Sequence, residues 1–330
     1  MSQSTSRALC TALIAAIGIS ACHRPTSTTS TTSCASILYG YSADVISGTT
    51  TPDSLTKIGI IDAGTDVLAP MATAINTTYT NQGTYNPTDG CYYVFKSQMG
   101  SGASTGTLYK VDGATVASFT GPANNAYGLT YNPVNNKFYC ASYASGGGSI
   151  SEVALSGSTY SLNSPVSTVH PAYGLWEGGN TTVDEVSGTI YYITGDTATQ
   201  YIERYTPGGT PSVVTAITGS WVILGLRYNA TDHHLYALKE IYPSATMEHD
   251  LIRIDPSSGT VNTLGAIPFH VNSEFYSACA DPCTNEYILS TPSHTTAGLP
   301  ATEIGRFNTS GTMVQHHITP GIYQALAIKH

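Results

Sequence analysis

Charge is what this sequence has least of. Asp, Glu, Lys and Arg make up 10% of its 330 residues, against about 25% in ordinary globular chains. That shortage excludes a coiled coil or long-helix protein, whose surface is built from charged helix formers. Disorder is excluded on other grounds, because it goes with few aromatics and here there are 23 Tyr, 6 Phe and 2 Trp. Basic residues are scarcest, 12 Lys and Arg against 21 Asp and Glu for a formal charge of −9. No basic surface remains to neutralise a phosphate backbone, so nucleic acid is not an expected partner. Also missing are any sustained 3.6-residue period beyond the N-terminus and any HExxH, P-loop, dinucleotide fingerprint or EF-hand loop. No metal and no cofactor are expected.

The one long apolar run stands at the start. Ala8 to Ile19 is interrupted only by Thr11 and follows a lone Arg7, which is signal-peptide anatomy and too short for a permanent membrane span. Ile19-Ser20-Ala21-Cys22 resembles the bacterial lipobox, with Ile for the usual Leu. The resemblance implies cleavage after residue 21 and lipid attachment at Cys22; cleavage to a soluble secreted protein is the alternative. Residues 22–34 follow as a Ser/Thr-rich tether with nothing apolar to bury. The expected product is exported and membrane-anchored, facing the periplasm or the cell exterior, where disulfides persist. Setting aside Cys10 and Cys22 leaves Cys34, Cys91, Cys140, Cys279 and Cys283. Five is odd, so at least one thiol is free or pairs between chains. Cys279 and Cys283 flank Asp281-Pro282 and suit a short bridge across a turn.

Residues 35–330 repeat. Thr84-Tyr85-Asn86-Pro87 precedes Tyr92-Tyr93-Val94, Thr130-Tyr131-Asn132-Pro133 precedes Phe138-Tyr139, and Arg227-Tyr228-Asn229-Ala230 precedes Leu235-Tyr236. Looser copies begin at Asp184 and Asp281. The anchors Asn86, Asn132, Asp184, Asn229 and Asp281 are 46, 52, 45 and 52 residues apart, which fits a four-stranded unit better than a helical repeat. A second phrase supplies strands three and four, as in Leu108 to Gly113 and Leu251 to Gly259; its six copies include Leu55 to Ile61, Ile150 to Val153, Ile202 to Tyr205 and Ile304 to Phe307. Gln324 to Lys329 reads as a first strand with nothing after it, and Ile37 to Tyr41 as a second strand with no first. One unit is therefore assembled from both ends, which leaves no open edge where the ring closes.

This pattern resembles six-bladed β-propellers of the NHL, YVTN-like and gluconolactonase kind. The resemblance implies an all-β fold with four antiparallel strands per blade, closed by a blade shared between the N- and C-terminal ends, and carries little about activity. Gluconolactonase-like enzymes need a metal-holding Glu near the start of the propeller, whereas the first Glu here is Glu152. Propeller phosphatases need clustered charge, which is scarce throughout.

In such a blade the one-to-two and three-to-four turns share a face, and here they are tight. The other face collects long loops, such as Lys96 to Gly106 and Lys239 to Asp250, and is the expected binding surface. Connections entering the inner strands place Tyr127, Tyr173, Tyr276 and Tyr323 at one equivalent spot, with Trp221, His170, His270 and Glu274 nearby. An aromatic ring could stack a sugar or grip a peptide; the alternative is that each Tyr fills the same gap between blades. His170, His270 and Glu274 break the repeat and are the candidate acid, base and orienting groups should the protein be an enzyme. Gly102 to Gly106 spells G-x-S-x-G in a Gly/Ser loop, not at the strand-to-helix turn that the motif needs. His233-His234 and His316-His317, read as strand neighbours, point to opposite faces and chelate poorly. The leading expectation is a lipid-anchored module binding a weakly charged glycan or polypeptide, with a propeller hydrolase or lyase, or an envelope interaction scaffold, as alternatives.

Overall fold

In a computed structural model the chain divides into Met1–Ser33 and Cys34–His330. The structure describes residues 34–43, 57–73, 83–96, 105–122, 126–144, 147–170, 181–195, 198–218, 221–241, 248–272, 276–294 and 300–330, all in the second unit. The expected leader, Cys22, the expected tether up to residue 33 and most of the long loops lie outside the described residues.

The regular structure described is all strand, β1 to β24 in chain order. The first sheet joins β1 (Ile37–Ala43), β2 (Lys57–Ile61) and β3 (Leu68–Thr73) to β24 (Ile322–Lys329), in the order β24-β1-β2-β3. The next has eight strands: β4 (Gly83–Asn86), β5 (Cys91–Lys96), β6 (Thr105–Asp112) and β7 (Thr115–Pro122), then β8 (Ala126–Asn132), β9 (Lys137–Ala144), β10 (Gly147–Ser156) and β11 (Thr159–Ser167). Each half of this sheet is an antiparallel meander, and the ladder joins the halves at one pair, where β7 and β11 run parallel at Thr120 and Thr159. Three more four-stranded meanders follow. They comprise β12 (Thr181–Val183), β13 (Ile190–Gly195), β14 (Thr199–Tyr205) and β15 (Ser212–Thr218); β16 (Trp221–Asn229), β17 (His234–Ile241), β18 (His249–Ile254) and β19 (Val261–Ala266); and β20 (Ser277–Asp281), β21 (Glu286–His294), β22 (Pro300–Asn308) and β23 (Met313–Pro320). The first strands contact one another in a closed circuit, β4, β8, β12, β16, β20, β24 and back to β4. The arrangement is propeller-like, and the expected sheet built from both ends of the repeat region is present.

The anchors work as turn formers. Asn86, Asn132, Asp184, Asn229 and Asp281 each accept, through Oδ1, the backbone N–H two residues on, at 2.9 to 3.0 Å. This Asx geometry replaces the ladder bond lost at a turn. Four residues beyond each anchor the chain turns left-handed, at Gly90, Asn136, Gly188, His233 and Asn285, with φ between 60° and 74°. His233 is the poor fit in that series, and it sits in the turn, not in the strand that the sequence suggested.

An inner strand has one edge with no ladder partner, and side chains from neighbouring sheets supply the missing bonds. Tyr131 N–H donates to Thr84 Oγ1, Tyr228 N–H to Thr182 Oγ1, and Leu326 N–H to Ser277 Oγ. Asn132 Nδ2 donates to Gly188 O, Asn229 Nδ2 to Asn285 Oδ1, and Tyr92 OH to Ala325 O. Every seam of the circuit thus carries a side-chain bond that a slipped register would break. Between the sheets, buried Tyr92, Tyr192, Tyr236 and Tyr287 and aliphatic strand residues fill the interior.

The cysteine expectation needs correcting. Cys283 is disulfide-bonded to Cys34, not to Cys279. Cys279 lies in β20 with its side chain among Leu38, Ile288 and Leu326, whereas Cys283 sits in the turn beyond, beside the segment that leads into β1. Burial pushes the Cys279 thiol up to about 12, and Cys91 and Cys140 are likewise buried and free. The bridge joins the sheet built from both ends to its neighbour, and Ser36 Oγ donating to Asp281 Oδ2 at 2.5 Å reinforces that seam.

Reduction, or Cys34→Ser, is expected to lower stability by about 3–5 kcal/mol, since the bridge closes a very long loop; urea unfolding with and without reductant measures it. His233→Gly is expected to raise stability by about 1 kcal/mol by relieving a left-handed non-glycine residue, read from the same curves.

Candidate functional site

The inner strands enclose an axial cavity of about 130 Å³. Pro87, Pro133, Glu185, Ala230, Pro282 and His330 stand at one mouth, each just beyond the end of its inner strand. Two residues inward come Tyr85, Tyr131 and Tyr228, and deeper lie Thr130, Arg227 and Cys279. This is the face of the tight turns, not the long-loop face that the sequence favoured.

The mouth tyrosines are held before any ligand arrives. Tyr85 stacks on Tyr39 at 5.5 Å between centroids, with Lys329 Nζ 5.4 Å above its ring. Tyr228 stacks on Tyr191 at 5.8 Å, and its hydroxyl lies 3.1 Å from His233 Nδ1. The Tyr131 hydroxyl is shared with Thr88 Oγ1 at 2.7 Å and donates to Asn136 Oδ1. Such rings lose little freedom when something docks on them. Below them Arg227 is buried, donating to the carbonyls of Ala278 at 2.6 Å and Leu226 at 2.7 Å, and burial pushes its guanidinium down from the ordinary arginine value. Across the rim His330 Nε2 meets Glu185 Oε2 at 3.0 Å, and that bond holds the imidazole above its usual value against opposing burial.

A second polar cluster surrounds His170, on the connection between β11 and β12. Glu203 of β14 is fully buried, and its carboxylate accepts four bonds. Oε2 takes Val169 N–H at 2.9 Å; Oε1 takes His170 N–H at 2.9 Å, His170 Nδ1 at 3.0 Å and the Thr194 hydroxyl at 2.7 Å. The His170 ring lies flat on Tyr201, 3.5 Å between centroids. β14 alternates regularly, so Ile202 faces the cluster of Ile193, Ile223 and Ile252 while Glu203 lies on the opposite face with Tyr205, and both are buried because each face is covered by a neighbouring sheet.

The other expected site residues divide. Tyr276 and Tyr323 are buried, with their hydroxyls accepting Gly225 N–H at 2.9 Å and Leu68 N–H at 3.2 Å, so they fill inter-sheet gaps and do not present a ligand surface. His270 is exposed between β19 and β20. Tyr127 and Trp221 begin inner strands but their side chains, like the whole of Tyr173 and Glu274, lie outside the described residues. His170 and His270 stand on connections into β12 and β20, which are not neighbours in the circuit, and His170 finds Glu203 as its acid. His316 and His317 diverge as expected, to Glu303 at 2.7 Å and to Asp66 at 2.9 Å. The mouth tyrosines were missed because they were read only as repeat markers. A Tyr directly before the turn anchor in three copies, Tyr85, Tyr131 and Tyr228, was the available signal.

Comparison of folds agrees with this geometry. The chain superposes on a chain of the nidogen/laminin complex with a TM-score of 0.59, at 9% identity, over 89% of this chain and 98% of that one. The fold is a β-propeller. Similar matches are the periplasmic gluconolactonase of Pseudomonas aeruginosa (TM-score 0.57, 10% identity, 89% and 99% covered) and TolB of Acinetobacter baumannii (0.59, 14%, 89% and 66%). At these identities the likeness is one of fold alone. No protein-family profile matches the propeller chain, and no curated protein matches it in sequence.

Glu203→Gln is expected to cost about 2–3 kcal/mol, because it removes an acceptor from buried backbone N–H groups. The urea midpoint reads this, and an unchanged midpoint would mean that those groups find other partners.

Proposed function

We propose that this protein is an exported, lipid-anchored, six-bladed β-propeller that binds the end of a weakly charged chain, a glycan terminus or a polypeptide side chain, at the tight-turn mouth of its axial channel. The six-blade count treats the eight-stranded sheet as two blades touching at their outer strands, which the circuit of inner strands supports. The observation that carries the binding reading is the concave mouth with two immobilised and partly exposed tyrosines, Tyr85 and Tyr228, prolines at the rim and few ionisable groups. Aromatic faces stack on sugar rings and on apolar side chains alike. A cavity of about 130 Å³ is below the roughly 300–1,000 Å³ of sites that enclose a whole small ligand, so it suits a chain terminus. Export and anchoring rest on the leader and on Ile19-Ser20-Ala21-Cys22. The Cys34–Cys283 bridge favours an oxidising compartment.

A second reading draws on His170. An imidazole fixed through Nδ1 by a buried glutamate leaves Nε2 free to take a proton, the arrangement of a hydrolase or lyase base.

Glycan and peptide arrays probed with the chain lacking residues 1–21 should give specific binders, weakened about tenfold, some 1.4 kcal/mol, by Tyr85→Ala or Tyr228→Ala. A blank array together with turnover abolished by His170→Ala would overturn the binding reading in favour of the second. In cells, Cys22→Ser should move the protein from the membrane to the soluble fraction, since the acyl chains are the proposed anchor.

A further inference from the structure

We propose that His330 and Glu185 form a protonation-controlled bar that closes the tight-turn mouth of the channel, so that the cavity opens as the pair separates. The inference rests on the reading of the channel as a binding site and adds its regulation.

The position of the pair is what gives it this role. His330 directly follows β24, and Glu185 lies just beyond β12. In the circuit of inner strands these two are opposite: β4 and β8 separate them on one side, β16 and β20 on the other. A bond between them therefore runs across the mouth and not along a seam. Both residues line the cavity, and the 3.0 Å contact is solvent-accessible, with a third of the His330 side chain and 43% of the Glu185 side chain exposed. Every other side-chain bond described between inner strands joins neighbours and has a part in the fold. This one joins no two sheets that pack together, so the ring does not need it.

The surrounding charges favour a charged bar. Asp281, on β20, faces the imidazole and adds to its retention of a proton. Lys329, the preceding residue, is turned away over the Tyr85 ring. Asp184, next to Glu185, is engaged by Val186 N–H and the Ser187 hydroxyl, and Arg227 lies deeper, bonded to carbonyls. Pairing raises the pH at which His330 gives up its proton. The attraction is therefore complete below the ordinary histidine value and is lost as pH rises through the raised one. A partly exposed ion pair of this kind shifts an open–closed balance by about fivefold, enough to bias access without sealing the channel.

A thiol placed in the channel reads the bar without any ligand. Thr130 lines the cavity three strand positions inward of the rim, roughly 10 Å deeper. The Thr130→Cys protein is treated with methyl methanethiosulfonate, and the labelling rate of the introduced thiol is mapped by peptide. At each pH that rate is divided by the rate of the same thiol in protein that also carries Glu185→Gln, which cancels the ionisation of the thiol itself. The quotient is expected to be about one-fifth at pH 6 and to approach one at pH 9. Adding His330→Ala instead of Glu185→Gln should bring it to one at both pH values. A quotient of one at both pH values without that change overturns the proposal. If Thr130→Cys does not fold, the otherwise unchanged protein still decides: the His330 Cε1–H resonance must titrate at a higher pH than in Glu185→Gln, and equal midpoints overturn the bar. Neither readout depends on binding, so a blank array with gated labelling would sink the binding reading and leave the bar standing.

Discussion

An inner strand of a propeller has a ladder partner on one edge only, and the backbone groups on its other edge must be satisfied by something else. In this chain that constraint organises the whole ring. Short hydroxyl and amide side chains on one sheet reach the bare backbone or the turn of the next, at Thr84, Asn132, Thr182, Asn229 and Ser277, and Tyr92 completes the circuit. These bonds are neutral and carry no large desolvation cost, and charged groups add to them between sheets at Arg227, which donates to Ala278 O, and at the buried Arg306–Asp66 pair. The scarcity of charge in the sequence is the compositional side of the same solution: Thr, Asn, Ser and Tyr make most of the bonds between sheets, and ion pairs such as Arg306–Asp66 are few.

The fold was legible because the repeat is enforced locally. An Asn or Asp that folds onto the backbone two residues later must recur wherever the turn recurs, and so Asn86, Asn132, Asp184, Asn229 and Asp281 marked the units. The shared sheet was legible too, since an unmatched first strand at Gln324 to Lys329 and an unmatched second strand at Ile37 need each other. What sequence spacing could not convey was direction. Cys279 and Cys283 are near in the chain, but one belongs to a strand facing the core and the other to a turn facing Cys34. Tyr276 and Tyr323 recur at one position because each is buried with its hydroxyl accepting a backbone N–H, whereas Tyr85, Tyr131 and Tyr228 recur just as regularly and line the cavity. Periodicity shows that residues are equivalent; it does not show whether the equivalent place is a seam or a mouth.

The same limit applies to Glu203. Alternation along β14 puts it on one face of its sheet, and that face is covered by the neighbouring sheet and by the connection at residues 169 and 170, which alternation read from sequence does not show. Its carboxylate gathers two backbone N–H groups, a hydroxyl and an imidazole, so one acid holds the chain at residues 169 and 170. The mouth of the channel is organised differently, by stacked rings and rim prolines, so the recognition proposed there rests on fit more than on charge.

The pairing of β1 with β24 also has a temporal meaning. These strands lie at opposite ends of the repeat region, so during synthesis or translocation β1 waits with an unpaired edge until the last strand arrives. Through that interval the nascent ring is an open arc with two adhesive ends. A second arc offers the same complementary edge as the chain's own β24, so crowding of unfinished molecules favours exchange of that strand between copies. Once the strand is in place, oxidation of Cys34 and Cys283 across the adjoining seam makes the closure irreversible under the conditions that formed it. The bridge thus acts as a latch on a ring that has already closed upon itself.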